Sequence, residues 1–272
     1  MGWAAILTID LETYSSVDLK ASGVYKYVEA PDFEILLLGF AFDDDPVEVI
    51  DLAQGEELPA EVLQALTDPN VIKTAYNANF ERVCIAKYFG IPTPPSQWRC
   101  TAVHARYLGL PGHLEDVAKA LKLEQQKDAA GKNLIRYFSV PCKPTKNNGG
   151  RTRNLPEHDP ERWQKFKEYC RQDVVVEREI RKKLERYPVP EIEWKLWEID
   201  QKINDTGVMI DTTLVQNAIK CNTDYSQKLE DKAVKLTRLE NPNSVEQLKE
   251  WLSRQGVEVE SLDKKTVSRL IE

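Results

Sequence analysis

Trp3–Ile9 is apolar apart from Thr8 and stops at Asp10, the pattern of a central strand with acids at its exit. Phe33–Phe42 (FEILLLGFAF) predicts a second strand, and the acidic turn Asp43–Pro46 leads into a third at Val47–Leu52. Leu58–Leu66 has helical spacing, Val71–Tyr76 reads as a strand that delivers Asn77, and Ala78–Phe89 reads as a helix. The order β-β-β-α-β-α predicts a mixed sheet with helices packed against it, an α/β fold. Beyond Pro95 the chain turns mostly helical, with short amphipathic stretches at Leu114–Leu121 and Gly131–Phe138.

Cys142–Asp159 (CKPTKNNGGRTRNLPEHD) is rich in Lys, Arg, Asn, Gly and Pro, has no apolar period and reads as a linker. It ends in a helix start, Asp159 as N-cap with Pro160 behind it, and the helix that follows runs to about Arg186. Pro188 and Pro190 break it, which places a domain boundary near Pro188–Glu191: residues 1–188 before it, residues 189–272 after it. The second part is expected to hold a helix at Glu191–Asn204, a turn and strand at Gly207–Asp211, and further helices at Thr213–Leu236 and Ser244–Gln255. The closing TVSRLIE stops in mid-pattern, as a fragment of a longer chain would.

A length of 272 residues allows one large domain and part of another, and the net charge of −7 is ordinary for a soluble protein. Nucleic-acid binding is left open by that charge, because phosphate contacts need only a local basic patch. The five cysteines are odd in number and lack C-x-x-C spacing, which points to reduced thiols. No signal-peptide pattern or membrane-length apolar run is present. The reading is a soluble, cytoplasmic protein with no membrane partner and no sign of an obligate oligomer.

Three D-x-E triplets occur. Asp159–Glu161 starts a helix and Asp32–Glu34 precedes a strand, whereas Asp10-Leu11-Glu12 lies at the end of an apolar run. Two acids held there repel each other unless a cation lies between them. Asn77-Ala78-Asn79-Phe80-Glu81 joins a strand to a helix, where Asn77 or Asn79 can cap and Glu81 can favour the helix N-terminus; metal binding is compatible with both. In the long helix, Tyr169 and Asp173 are four residues apart and share a face with Phe166 and Val176. An acid on an apolar face is paired or metal-bound, so a purely structural Tyr–Asp hydrogen bond is the alternative.

The series acid pair, N-x-N-F-acid and Y-x-x-x-D resembles the motifs of the DEDDy branch of DnaQ-like 3′–5′ exonucleases, from about Trp3 to Arg186. AYNANFERVCI, LIRYFSVPCKPTKNNGGRTRNLPEHDPERW and FKEYCRQDVVVEREI are similar to segments of the proofreading domain of phage-type family A DNA polymerases. EIEWKLWEIDQKINDTGVMIDTTLV and NPNSVEQLKEWL resemble the start of the polymerase thumb. Where many members carry Asp at the second motif, this chain has Glu81.

The resemblance implies a ribonuclease H-like fold and two divalent ions, Mg²⁺ or Mn²⁺, held by Asp10, Glu12, Glu81 and Asp173, with Tyr169 orienting the attacking water. It implies release of nucleoside 5′-monophosphates from a single-stranded DNA 3′ end, in a bacterial cell infected by or carrying a phage, and a polymerase domain in the same full-length chain. Leu11, Thr13 and Asn77 would contact the terminal nucleotide, and Lys143, Lys146, Arg151 and Arg153 could track phosphates. An RNase D-type exoribonuclease and a silent nucleic-acid-binding fold are the alternatives.

Overall fold

The computed structural model describes residues 5–123 and 131–271. Strands β1 (Ala5–Tyr14), β2 (Glu34–Phe42), β3 (Glu48–Asp51), β4 (Val71–Ala75) and β5 (Trp98–Cys100) form one sheet in the order β3-β2-β1-β4-β5. β1, β2 and β3 pair antiparallel, and β4 and β5 extend the sheet parallel to β1. Three meandering strands followed by two parallel ones, with helical crossovers, make the mixed ribonuclease H-like sheet. Each parallel step needs a crossover, and helices supply both.

Helices α1 (Leu19–Val28), α2 (Ala60–Thr67) and α3 (Ala78–Phe89) cover one face of the sheet. They share a cluster with Leu7, Ile9 and Leu11 of β1 and Ile35, Leu38 and Phe40 of β2. The other face carries α4 (Thr101–Tyr107), α5 (Leu114–Ala120), α6 (Gly131–Phe138) and the long α7 (Pro160–Leu184). Leu37 there meets Leu134, Phe138, Trp163, Phe166 and Tyr169, while Leu114, Val117, Val176, Ile180 and Leu184 form a neighbouring cluster. Asp159 caps α7 by accepting from the Arg162 amide, and Trp163 donates to Asp51 Oδ2 at 2.7 Å, tying the helix to β3.

β1 does not end at Ile9. It continues to Tyr14, with Asp10 opposite Gly39 and Glu12 opposite Leu37, and a bulge falls between Glu12 and Thr13. The apolar pattern ends at the first acid because side chains alternate: Leu7, Ile9 and Leu11 enter the core on one face, and Asp10 and Glu12 point to the other. The ladder continues beneath them. The acids are therefore held within a central strand, and its first expected residues, including Trp3, lie outside the described residues.

Four further departures have physical reasons. α1 lacks a clean period because Gly23 (φ +76°) breaks its helical geometry, and β5 has only three residues, too few to show alternation. The supposed linker at 142–159 is an ordered loop built around Asn148. Its Oδ1 accepts from the Thr145 and Gly150 amides, and its Nδ2 donates to the Lys143 and Arg151 carbonyls. Gly207–Asp211 forms no strand; Asp211 instead caps the next helix by accepting from the Leu214 amide.

The chain divides into two compact units, Met1–Thr206 and Gly207–Glu272. The division lies beyond Pro188 because α8 (Glu191–Thr206) belongs with the first unit. Arg82 of α3 grips Asp205 of α8 with two bonds of 2.6 and 2.9 Å, and Tyr25 donates to the same carboxylate at 2.8 Å. The second unit consists of α9 (Thr212–Thr237), α10 (Val245–Arg254) and α11 (Lys264–Ile271). All five cysteines are free. Among the described residues no helix is long and apolar enough to cross a membrane.

Candidate active site

The approach of α7 to the sheet is set by a missing side chain. A Cβ on Gly39 would stand 2.9 Å from Val174 Cγ2 and 3.0 Å from Cys170 Sγ, so a glycine there lets the helix close onto the strand pair. Asp173, between those two contacts in sequence, is thereby brought over β1. Single ligand oxygens of Asp10, Glu12 and Asp173 all lie within 4.8 Å of one another. One turn earlier, Tyr169 presents its ring to the same place, stacked on Phe166 with centroids 6.3 Å apart.

Glu81 arrives from a different element, the first turn of α3. It stands outside the group of three but near enough for the Asp10 charge to act on it. Exposure is 6 % for Glu12, 5 % for Glu81 and Asp173, and 2 % for Tyr169. Carboxylates this deep need compensation, because burial penalises the charged form. Glu81 Oε2 is buried and has no hydrogen-bond partner among the described residues. Burial first, and then the charges of Asp10 and Glu177, hold the Glu81 carboxyl well above the usual carboxylate range. Asn77 occupies the N-cap position without a side-chain cap bond, and Glu81 lies in the first turn beyond it.

Tyr169 is pushed far above the ordinary phenol range, chiefly by burial and then by the charges of Asp173, Glu12 and Asp10. A protonated phenol hydroxyl in this position can donate a hydrogen bond. A hard, all-oxygen donor set with an orphaned buried carboxylate oxygen fits a divalent cation of the Mg²⁺ or Mn²⁺ class.

The other expected residues are scattered. Leu11 is buried in the α3-side cluster, facing away from the acids, and Thr13 Oγ1 is engaged with the Tyr27 hydroxyl at 2.9 Å. Asn77 is exposed and lines a cleft of about 660 Å³ with Tyr76, Arg106, His113 and Lys132. In the basic loop, Arg153 pairs with Glu34 and stacks on the Tyr14 ring at 3.8 Å, and Arg151 bonds Asn154 and the Asn148 carbonyl. Those two arginines hold the loop in place. Lys143 and Lys146 are exposed.

Glu177 is a buried acid that sequence reading passed over. Thr101 donates to its Oε1 at 2.5 Å, joining α4 to α7, and burial raises its carboxyl above the ordinary range. The signal was present as the four-residue series Tyr169, Asp173, Glu177, Arg181 on one helix face. Together with Glu81 it predicts an unusual pH dependence. An acid whose folded pKa exceeds its unfolded value keeps more protons when folded, so stability falls as pH rises from about 4.3 upward. The melting temperature of the chelated protein should therefore decline from pH 5 towards pH 8, and added Mn²⁺ should reverse the decline. A chelated protein that grows more stable over that range would contradict this electrostatic account.

No protein-family model matches the chain. It is 64% identical over 266 residues to a DNA polymerase of Bacillus phage SP02, a match that takes in 98% of this chain and 41% of the relative. The chain thus spans about two fifths of that relative's length. Among solved structures it resembles Escherichia coli RNase D, an exoribonuclease involved in structured RNA processing, at 13% identity and TM-score 0.42, covering 75% of this chain and 46% of the other. It also resembles the POL domain of Pol1 from M. smegmatis, in complex with DNA primer-template and dNTP, at 15% identity and TM-score 0.42, covering 92% and 36%.

Proposed function

We propose that this chain belongs with the DEDDy exonuclease segments of phage-type DNA polymerases and that it removes nucleotides one at a time from the 3′ end of DNA. The observation that carries the proposal is the convergence of Asp10, Glu12 and Asp173 within 4.8 Å, beside the buried Glu81 and Tyr169. In this reading the four acids hold two divalent ions, Mg²⁺ or Mn²⁺. When bound, such ions supply Lewis-acid activation of water and neutralise charge on the leaving 3′ oxygen.

The protein's own part is positioning. β1, α3 and α7 fix the acids, and Tyr169 orients the attacking water through its hydroxyl. Water attacks the terminal phosphorus, the bond to the 3′ oxygen breaks, and a nucleoside 5′-monophosphate leaves. The cleft at Asn77 takes the preceding nucleotides, with Arg106 and Lys132 beside their phosphates and the exposed Lys143 and Lys146 adding local positive charge. Mispaired ends fray into single strands more readily than paired ones, so this activity serves as the proofreading part of a polymerase whose remaining segments lie elsewhere in the same chain. Residues 189–272 are then the beginning of its thumb.

The test uses 5′-labelled DNA and RNA strands of one sequence with Mg²⁺ or Mn²⁺. A ladder that shortens the DNA from its 3′ end, and is absent with chelator, is expected. Faster shortening of the RNA strand would favour an exoribonuclease of the RNase D type, and intact strands in both arms would mean a silent fold.

A further inference from the structure

Helix α6 carries Gly131, a buried residue turned towards the ring of Tyr169. A Cβ built there would stand 1.9 Å from Tyr169 Cε2, 2.4 Å from Cδ2 and 2.7 Å from Cζ. Real Cβ atoms essentially never come within 3.0 Å of such a neighbour. The obstacle is not a flexible chain end. The ring is 2 % exposed, is stacked on Phe166, and belongs to the cluster that contains Leu134 and Phe138 of the same α6. Glycine is a poor helix former. What requires it is the close approach to the tyrosine.

We infer that Gly131 is a positioning residue for the Tyr169 hydroxyl. Gly131 of α6 closes on the Cε2–Cδ2 side of the phenol ring while Phe166 stacks with it, and the two together fix where its oxygen stands relative to Asp10, Glu12 and Asp173. The inference rests on the exonuclease reading, in which that hydroxyl orients water. A side chain at 131 would drive the ring back by about 1.1 Å to reach 3.0 Å from the nearest atom. Displacement of a reacting group by about 1 Å costs on the order of 10²-fold in rate.

Two substitutions and their combination test it. Tyr169→Phe keeps the ring and loses the hydroxyl, and should lower kcat by about 10²-fold with Mn²⁺ affinity by calorimetry unchanged. Gly131→Ala should lower kcat by a similar factor, again sparing Mn²⁺ affinity and KM, and should lower the melting temperature. In the Tyr169→Phe background Gly131→Ala should lower the melting temperature as before but cost no further turnover, because there is no hydroxyl left to misplace. A Gly131→Ala variant with wild-type kcat, or one that loses the same factor again in the Phe background, overturns the inference. Full turnover in Tyr169→Phe alone overturns the reading beneath it instead. If Gly131→Ala does not fold, adding Tyr169→Ala removes the obstructing ring and should restore a cooperative melt; no restoration overturns the inference.

Discussion

Replacing Asp10 and Glu12 together by alanine should abolish 3′-end shortening while making the metal-free protein slightly more stable. Cation charge stabilisation in such sites contributes several kcal/mol to the transition state, so losing two of the proposed ligands should remove at least about 10³-fold in rate. The stability forecast follows from geometry. Like charges at 4.8 Å repel by roughly 3 kcal/mol at an effective dielectric of about 20, and Asp10 is partly exposed, so the real relief is on the order of 1 kcal/mol. For a chain of this size that is about 2–4 °C. Rates in Mn²⁺ and melting curves in chelator give the two readings. A double variant that melts far below the parent would mean that the carboxylates hold the fold, and the metal assignment would fail.

A second large effect is expected at Glu81. Glu81→Gln keeps the shape and the helix-start location but removes the charge, and should lose about 10²-fold or more in turnover, each tenfold being about 1.4 kcal/mol. Its melting temperature in chelator near neutral pH should hold or rise, because the desolvated carboxyl that burial and Asp10 disfavour is gone. Glu81→Asp keeps the charge but draws it back by about one carbon–carbon bond, roughly 1.5 Å, and should retain partial activity. A residue that only complemented the α3 N-terminus would behave in the opposite way, giving up about 0.3–1 kcal/mol of stability and almost no turnover in the Gln variant. Single-turnover rates with Mn²⁺, set beside melts of both variants, separate the two roles. Full activity in Glu81→Gln would remove Glu81 from the site.

Legibility followed physical range. The apolar runs of β1, β2 and β4 and the capped start of α7 are local, and local pattern located them. The acids were legible as candidates because Asp10, Glu12 and Asp173 interrupt apolar patterns that would be cheaper without them. Their true setting was not legible, because the ladder that carries β1 on to Tyr14 depends on β2, more than twenty positions away. Gly39 and Gly131 gave no sign at all. A glycine demanded by a neighbour looks like any other glycine until the neighbour is known. The loop at 142–159 misled in the reverse direction: a composition that reads as flexible is fixed by the amide of Asn148, by Arg151 on Asn154 within the loop, and by Arg153, whose partner Glu34 is distant in sequence.

The contact of Gly39 with Cys170 and Val174 also orders events in time. During synthesis β1 emerges early and α7 late, so Asp10, Glu12 and Glu81 exist on the nascent chain long before Asp173 and Tyr169 are made. No shorter piece can assemble the set, because the helix that completes the acids is the same one that covers the sheet. Such long-range closure is slow to form and forms as one cooperative unit. On the proposed reading, nuclease competence would therefore arrive only with α7, and a chain stopped before it would expose no working nuclease to the nucleic acid around it.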